Sequence, residues 1–271
     1  MYTYKDYLKE EKLPHIWCAG CSNGIILNAL VHALADMQIP PEEVVIITGS
    51  GCLARLVTYP DTSTMKKLHG RVLPGATGVK LANPKLKVFC IMGDGDGATI
   101  GGNHLIHAAR RNIDVTAIIC NNFNYGMTGG QYSATTPLGA NTVTSRYGLE
   151  EENFDLAELV KACGAPYVAR VSASDVMNLR RYIVEATQKK GFGFIEVLGA
   201  CVTHYGKNNK MGDAPRMMRA IDAMTVPVAR AAKMTEEELA GKFIVGKIVD
   251  RNDKLDCGTR YEIIREEAKA K

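Results

Sequence analysis

The feature that most limits what this chain can fold into is a series of short β-branched runs in which apolar and polar residues do not alternate. They occupy Val44–Thr48, Lys87–Met92, Val115–Cys120, Tyr167–Val171 and Phe192–Leu198. A strand with one face in water alternates, whereas a nearly continuous apolar run needs cover on both faces. Between the runs, apolar residues fall at helical spacing over Asn23–Met37, Ile100–Arg111, Leu156–Ala162 and Asp175–Lys190, the last opened by the cap-like Ser172-Ala173-Ser174-Asp175. Strands alternating with helices predict an α/β chain, a mostly parallel sheet with helices on both faces. This texture holds over residues 1–206, without an internal repeat or a low-complexity linker. From Lys207 the chain turns charged, Met-rich and less periodic, with one clear helix start at Thr235-Glu236-Glu237-Glu238. The expectation is one large domain, 1–206, followed by a C-terminal extension, 207–271, that packs on a neighbouring subunit.

Composition closes off several function classes. With 271 residues and 46% hydrophobic content the chain can bury a full core. Apolar stretches such as Val44–Ile47 fall far short of the roughly 20 residues that span a bilayer. The start, Met1–Asp6, has no apolar export region, so the expected location is the cytoplasm. The net charge of +4 is spread along the chain without a dense basic stripe, which gives nucleic-acid binding no support.

The chemistry concentrates at two strand ends. Lys87–Met92 runs into Gly93-Asp94-Gly95-Asp96-Gly97, ahead of a helical segment. Glycines let a ligand approach the backbone, and the free N–H groups of a helix start suit a phosphate. The run is not a G-x-G-x-x-G dinucleotide turn, because its third small residue is Ala98 and two aspartates crowd it. Carboxylates beside a phosphate require a cation between them, and Mg²⁺ prefers oxygen ligands. Val115–Cys120 likewise ends in Asn121-Asn122-Phe123-Asn124-Tyr125-Gly126, whose Asn122 lies 28 residues after Asp94. A metal–diphosphate site follows from the pair.

Eight cysteines form the second signal. Cys90, Cys120 and Cys163 sit in apolar stretches and belong to the core, and Cys257 has no evident partner. Cys18 and Cys21 precede a helical segment, while Cys52 and Cys201 each follow a strand. In a parallel sheet the loops after strands open on one carboxyl edge, so Cys52, Asp94, Asn122 and Cys201 converge there. Four thiolates can hold zinc or an iron–sulfur cluster, and scattered thiols without metal are the remaining reading.

Gly-Asp-Gly, 25 residues, then Asn-Asn resembles the thiamine diphosphate fingerprint. With Trp17–Cys21, Gly49–Arg55, His69–Arg71, Lys80–Pro84, Ile100–His104, Arg110–Asn112, Asn121–Gln131 and Thr135–Pro137 in the same order, the chain resembles the β subunit of thiamine diphosphate-dependent 2-oxoacid:ferredoxin oxidoreductases over about residues 12–205. Leu81–Pro84, Ile100–His104 and Tyr125–Gln131 are most similar to the 2-oxoglutarate type. Two departures stand out: Ser22, where many relatives have Gly, and Gly129, where some carry a Lys that touches the substrate carboxylate. Ser22 keeps a small residue and is expected to matter little.

The resemblance implies Mg²⁺ ligation by the side chains of Asp94 and Asn122 and the carbonyl of Asn124, and one 4Fe-4S cluster on Cys18, Cys21, Cys52 and Cys201. It implies that Ser50, Gly51, Cys52, Leu53, His69, Gly70, Arg71, Val72, Gly95, Asp96, Gly126 and Met127 line thiamine diphosphate, Met127 beneath the folded cofactor. His69 has a plainer reading as a capping or core histidine, and Arg55 and Arg71 as members of ordinary ion pairs. The implied reaction is oxidative decarboxylation of 2-oxoglutarate with coenzyme A to succinyl-CoA and CO₂, electrons leaving through the cluster to ferredoxin. No catalytic residue is assigned in this chain, because the Glu that activates the cofactor is expected from a partner α subunit, alongside which further small subunits can occur. Pyruvate or branched-chain 2-oxoacids are alternative substrates. A non-redox thiamine decarboxylase or carboligase with structural zinc, and a metal-bearing sensor subunit without turnover, are alternatives of other classes.

Overall fold

The computed structural model describes residues 1–270. Its strands are β1 (Val44–Thr48), β2 (Ser63–Lys66), β3 (Lys87–Gly93), β4 (Thr116–Asn121), β5 (Tyr167–Ser172), β6 (Gly193–Leu198), β7 (Thr225–Pro227) and β8 (Phe243–Asp250). They form one sheet in the order β2-β1-β3-β4-β6-β5-β8-β7, in which only the β5–β8 pairing is antiparallel. The helices are α1 (Asn23–Met37), α2 (Val72–Ala82), α3 (Gly102–Arg110), α4 (Leu156–Ala162), α5 (Val176–Gln188), α6 (Ala214–Ala223), α7 (Val228–Ala231), α8 (Glu236–Leu239) and α9 (Cys257–Lys269).

The unalternating runs are explained by what covers them. Ile46, Ile91, Ile118 and Ile195 point to the side where α1 and α5 supply Ile26, Leu30, Leu34, Leu179 and Ile183. Their neighbours Ile47, Met92, Ile119 and Phe194 point to the opposite side, against Leu73 of α2, Leu105 of α3 and Val160 of α4. Successive side chains of a strand face opposite ways, so cover on both faces favours apolar residues at successive positions. Each fully buried Ile or Phe contributes about 1.5–3 kcal/mol of transfer free energy. Cys90 and Cys120 are fully buried, and Cys257 joins the cluster under α2 to α4.

The predicted strands and helices match the structure to within a few residues at their ends. Within the C-terminal extension, β7 and β8 extend this chain's own sheet beyond β5. Met217, Ile221 and Phe243 pack with Phe123, Leu198 and Tyr205 in a third cluster that crosses the 206/207 boundary. The physical reason is that β5 would otherwise present an unpaired edge, which β8 occupies. No helix among the described residues is long and apolar enough to cross a membrane.

Candidate metal and cofactor site

The parallel strands β1, β3, β4 and β6 lie side by side, so the segments leaving their carboxyl ends share one edge of the sheet. Asp94 follows β3 directly and is 1% exposed. Its Oδ2 accepts hydrogen bonds from Ser133 Oγ at 2.5 Å and Thr135 Oγ1 at 3.0 Å. Burial pushes its carboxyl up to about 6, against the pull of these two hydroxyls. The Asn122 side-chain amide approaches Asp94 Oδ1 to 3.2 Å and the Asn124 carbonyl oxygen to 2.9 Å, and its oxygen faces both acceptors. Turned, the amide donates to both oxygens; with its oxygen inward, as a cation would hold it, three oxygens stand together. Adjacent ligands of an octahedral Mg²⁺ at about 2.1 Å lie about 3.0 Å apart, so the spacing fits such a cation.

The backbone that brings these oxygens together is unusual. Phe123, between Asn122 and Asn124, has φ 65°, a left-handed conformation that costs a bulky residue about 1–2 kcal/mol. It is held by its N–H donating to Asn121 Oδ1 at 3.3 Å and by Thr136 Oγ1 donating to its carbonyl at 2.7 Å.

A cleft of about 160 Å³ opens beside this corner. Ser50, Gly51, Cys52 and Leu53 from the turn after β1, His69, Gly95 and Asp96, and Gly126 and Met127 line it. Gly70, Arg71 and Val72 stand behind that wall. The Gly70 N–H donates to Asp96 Oδ1 at 2.6 Å, Arg71 donates to the Gly70 carbonyl at 3.2 Å, and Val72 is buried at the start of α2. His69 Nδ1 lies 2.6 Å from Asp96 Oδ1, and its ring meets that of Tyr125 edge-on. Asp96 is 2% exposed, and its Oδ2 has no hydrogen-bond partner. A buried carboxylate oxygen left in this condition is suited to a ligand donor.

The four singled-out cysteines share one neighbourhood. Cys18 and Cys21 are joined by a tight turn, Cys21 N–H to Cys18 carbonyl at 3.0 Å, and Cys18 is exposed. Trp17 Nε1 donates to the Cys52 carbonyl at 2.7 Å, tying this turn to the segment after β1. The Ser22 hydroxyl accepts from the Ala200 N–H at 2.8 Å, tying it to Cys201 as well. Ser22 therefore contributes a bond that Gly could not make. Burial, with the other three thiols adding to it, pushes the Cys21 thiol up to about 12. A Cβ placed on Gly126 would lie 3.5 Å from Cys52 Sγ and 3.6 Å from Cys201 Sγ, so the cofactor cleft and the thiols meet at this glycine. Among the described residues no three His, Cys, Asp or Glu side chains converge on a single ion. Tetrahedral zinc would draw its sulfurs to about 3.8 Å of one another.

Sequence reasoning missed Tyr125 and Thr128, which line the cleft, and Ser133 and Thr135, which hold Asp94. The available signal was the hydroxyl run Ser133, Thr135, Thr136 in a segment with no helix to cap.

An open parallel sheet with an oxygen-lined corner and a phosphate-sized cleft at its carboxyl edge defines a thiamine diphosphate-binding protein. The model of the thiamine pyrophosphate enzyme C-terminal TPP binding domain matches residues 49–197. The 2-oxoglutarate synthase subunit KorB of Methanothermobacter marburgensis is 43% identical over 98% of this chain and 93% of its own length. The subunit of that name from Archaeoglobus fulgidus is 51% identical over 74% of this chain and 75% of its own. The 2-oxoglutarate:ferredoxin oxidoreductase of Magnetococcus marinus, solved with 2-oxoglutarate, coenzyme A and succinyl-CoA bound, superposes with a TM-score of 0.88 at 29% identity, over 98% of this chain and 91% of that one. The chain belongs to the β subunits of the 2-oxoacid:ferredoxin oxidoreductases, in the 2-oxoglutarate synthase group.

Proposed function

We propose that this chain is the cofactor-bearing β subunit of an enzyme that converts 2-oxoglutarate and coenzyme A to succinyl-CoA and CO₂ and delivers the electrons to ferredoxin. The observation that carries this reading is the meeting, at Gly126, of an oxygen-lined cation corner with four neighbouring thiols. Thiamine diphosphate, when bound, supplies the electron sink for decarboxylation. Asp94 Oδ1, the Asn122 amide oxygen and the Asn124 carbonyl would hold its Mg²⁺, while Ser133 and Thr135 keep the Asp94 carboxylate turned toward the ion. His69, braced by Asp96, lines the cleft and would contact the cofactor there. Cys18, Cys21, Cys52 and Cys201 would hold a 4Fe-4S cluster, whose electron acceptance separates this reaction from simple decarboxylation.

The Glu that activates the cofactor is assigned to the partner α subunit, as in the resemblance. The outer face of α9, with Tyr261 52%, Ile263 44% and Ile264 58% exposed, is suited to lie against that partner. Eight free cysteines favour a reducing cytoplasmic setting. 2-Oxoglutarate is preferred to pyruvate or branched 2-oxoacids because the relatives at 43–51% identity carry 2-oxoglutarate synthase names.

The test is cofactor content of the chain purified with its partner without oxygen. About four irons and one thiamine diphosphate per chain are expected. Asp94→Ala should lose thiamine diphosphate and keep iron, and Cys18→Ser should lose iron and keep thiamine diphosphate. Full thiamine content in Asp94→Ala would refute the cation assignment, and zinc in place of iron would refute the redox reading. Coenzyme A-dependent ferredoxin reduction with 2-oxoglutarate, compared with pyruvate, decides the substrate.

A further inference from the structure

Two charged residues lie deep inside the sheet, Glu196 on β6 at 0% and Arg170 on β5 at 1% exposure, paired in register. Taking both charges out of water is costly unless every donor and acceptor is used, and an apolar pair of similar size would serve stability as well. Here the bonds are made. Arg170 Nε donates to Glu196 Oε2 at 2.7 Å, its other nitrogens reach the Asp155 carboxylate and, at 3.1 Å, the Ile244 carbonyl, and the guanidinium lies 5.5 Å over the Phe243 ring. The remaining Glu196 oxygen, Oε1, accepts from Asn121 Nδ2 at 2.8 Å.

That last bond leads to the cation corner. A carboxylate only accepts, so the Asn121 amide must turn its NH₂ to Glu196 and its oxygen the other way, where it takes the Phe123 N–H. Phe123 is the left-handed residue between the two asparagines of the corner. Its ring packs 5.7 Å from Phe243, so the path from Asn121 through Glu196, Arg170 and Phe243 returns to Phe123. Neither Glu196 nor Arg170 lines the cleft.

We infer that Glu196 and Arg170 are positioning residues for the Mg²⁺–diphosphate corner, acting through Asn121 and through Phe243 of β8 on the conformation of Phe123. The inference rests on the assignment of Asp94, Asn122 and Asn124 to the cation. Direct hydrogen-bond partners of metal ligands typically change metal affinity or activity ten- to a hundredfold when removed, and Glu196 and Arg170 act further back, through Asn121 and Phe123.

The experiment uses the assembled enzyme with its partner subunit, stripped with a chelator and titrated with Mg²⁺ at fixed thiamine diphosphate, reading bound thiamine diphosphate and iron per chain. Glu196→Gln and the milder Asn121→Ser, which leaves the Arg170–Glu196 pair intact, are compared with the unaltered enzyme. The Mg²⁺ concentration for half-maximal retention should rise about ten- to a hundredfold in both, with iron content unchanged and retention restored by excess Mg²⁺. An unaltered Mg²⁺ dependence in Asn121→Ser overturns the inference, and that variant alone decides if Glu196→Gln fails to assemble. If the unaltered enzyme retains thiamine diphosphate without Mg²⁺, the cation assignment itself fails, which is a different result.

Discussion

Asp94 gives its two oxygens to different tasks, Oδ2 to a pair of hydroxyls and Oδ1 to the corner it shares with Asn122 and the Asn124 carbonyl. Small residues around it are set by space or by backbone. A Cβ on Gly95 would lie 2.3 Å from the Tyr125 ring, which would have to leave both His69 and its own 3.2 Å bond to the Gly95 carbonyl. Gly95→Ala should therefore cost about 1–3 kcal/mol of stability as an overpacked site, and thiamine diphosphate affinity should fall at least tenfold. Denaturant titration and equilibrium dialysis measure the two effects; an unchanged affinity would show that Tyr125 does not shape the cleft. Gly51 has open space around it but φ 110°, so Gly51→Ala strains the backbone instead. That Asp94 and Asn122 meet was legible in the sequence, because the ends of neighbouring parallel strands share one edge. Ser133, Thr135 and Tyr125 were not, since their part depends on a loop folding back across the edge. Arg170 and Glu196 stood in plain view inside apolar runs, and only the register between β5 and β6 shows that they meet.

Strands buried on both faces and helices with clear caps declare themselves, and β1, α1 and α4 coincide with their predicted bounds. Helices α6 and α9 carry capping aspartates, Asp213 and Asp256, that went unread, while other elements that escaped prediction lack such marks. Helix α2 carries Pro74, Gly75 and Gly78 in its first two turns, β2 is exposed at all four positions, and β7 is three residues long. Strand β8 contains Gly246 at φ 123°, and its pairing with β5 shifts register at Val168/Ala169. At the start of α1, Ser22 is 1% exposed and joins the Cys18–Cys21 turn to the segment after β6. Ser22→Ala leaves the Ala200 N–H without that acceptor and should cost about 1–3 kcal/mol in denaturant unfolding. Because Cys201 follows Ala200, the same variant should lose iron to a chelator faster than the unaltered chain. Equal rates would show that the bond serves stability alone.

Over the whole molecule, two helical layers cover the sheet and leave its carboxyl edge open for the proposed cofactor site. The C-terminal segment splits in function: β7 and β8 complete the sheet, while α9 buries only Cys257 of its own residues. Ile263→Asp with Ile264→Asp should leave unfolding of this chain within about 0.5 kcal/mol, as expected for exposed positions. The same pair should reduce co-purification of the partner subunit at least tenfold, and an undiminished yield would place the partner elsewhere. Trp17 is the single tryptophan of the chain, nearly buried, and bonded through its indole N–H to the Cys52 carbonyl. One fluorophore thus sits beside the Cys52 backbone, so if the proposed cluster is bound its emission should be dark, and brighten as oxygen dismantles the cluster. The chain would report its own oxidative damage optically, with no label attached.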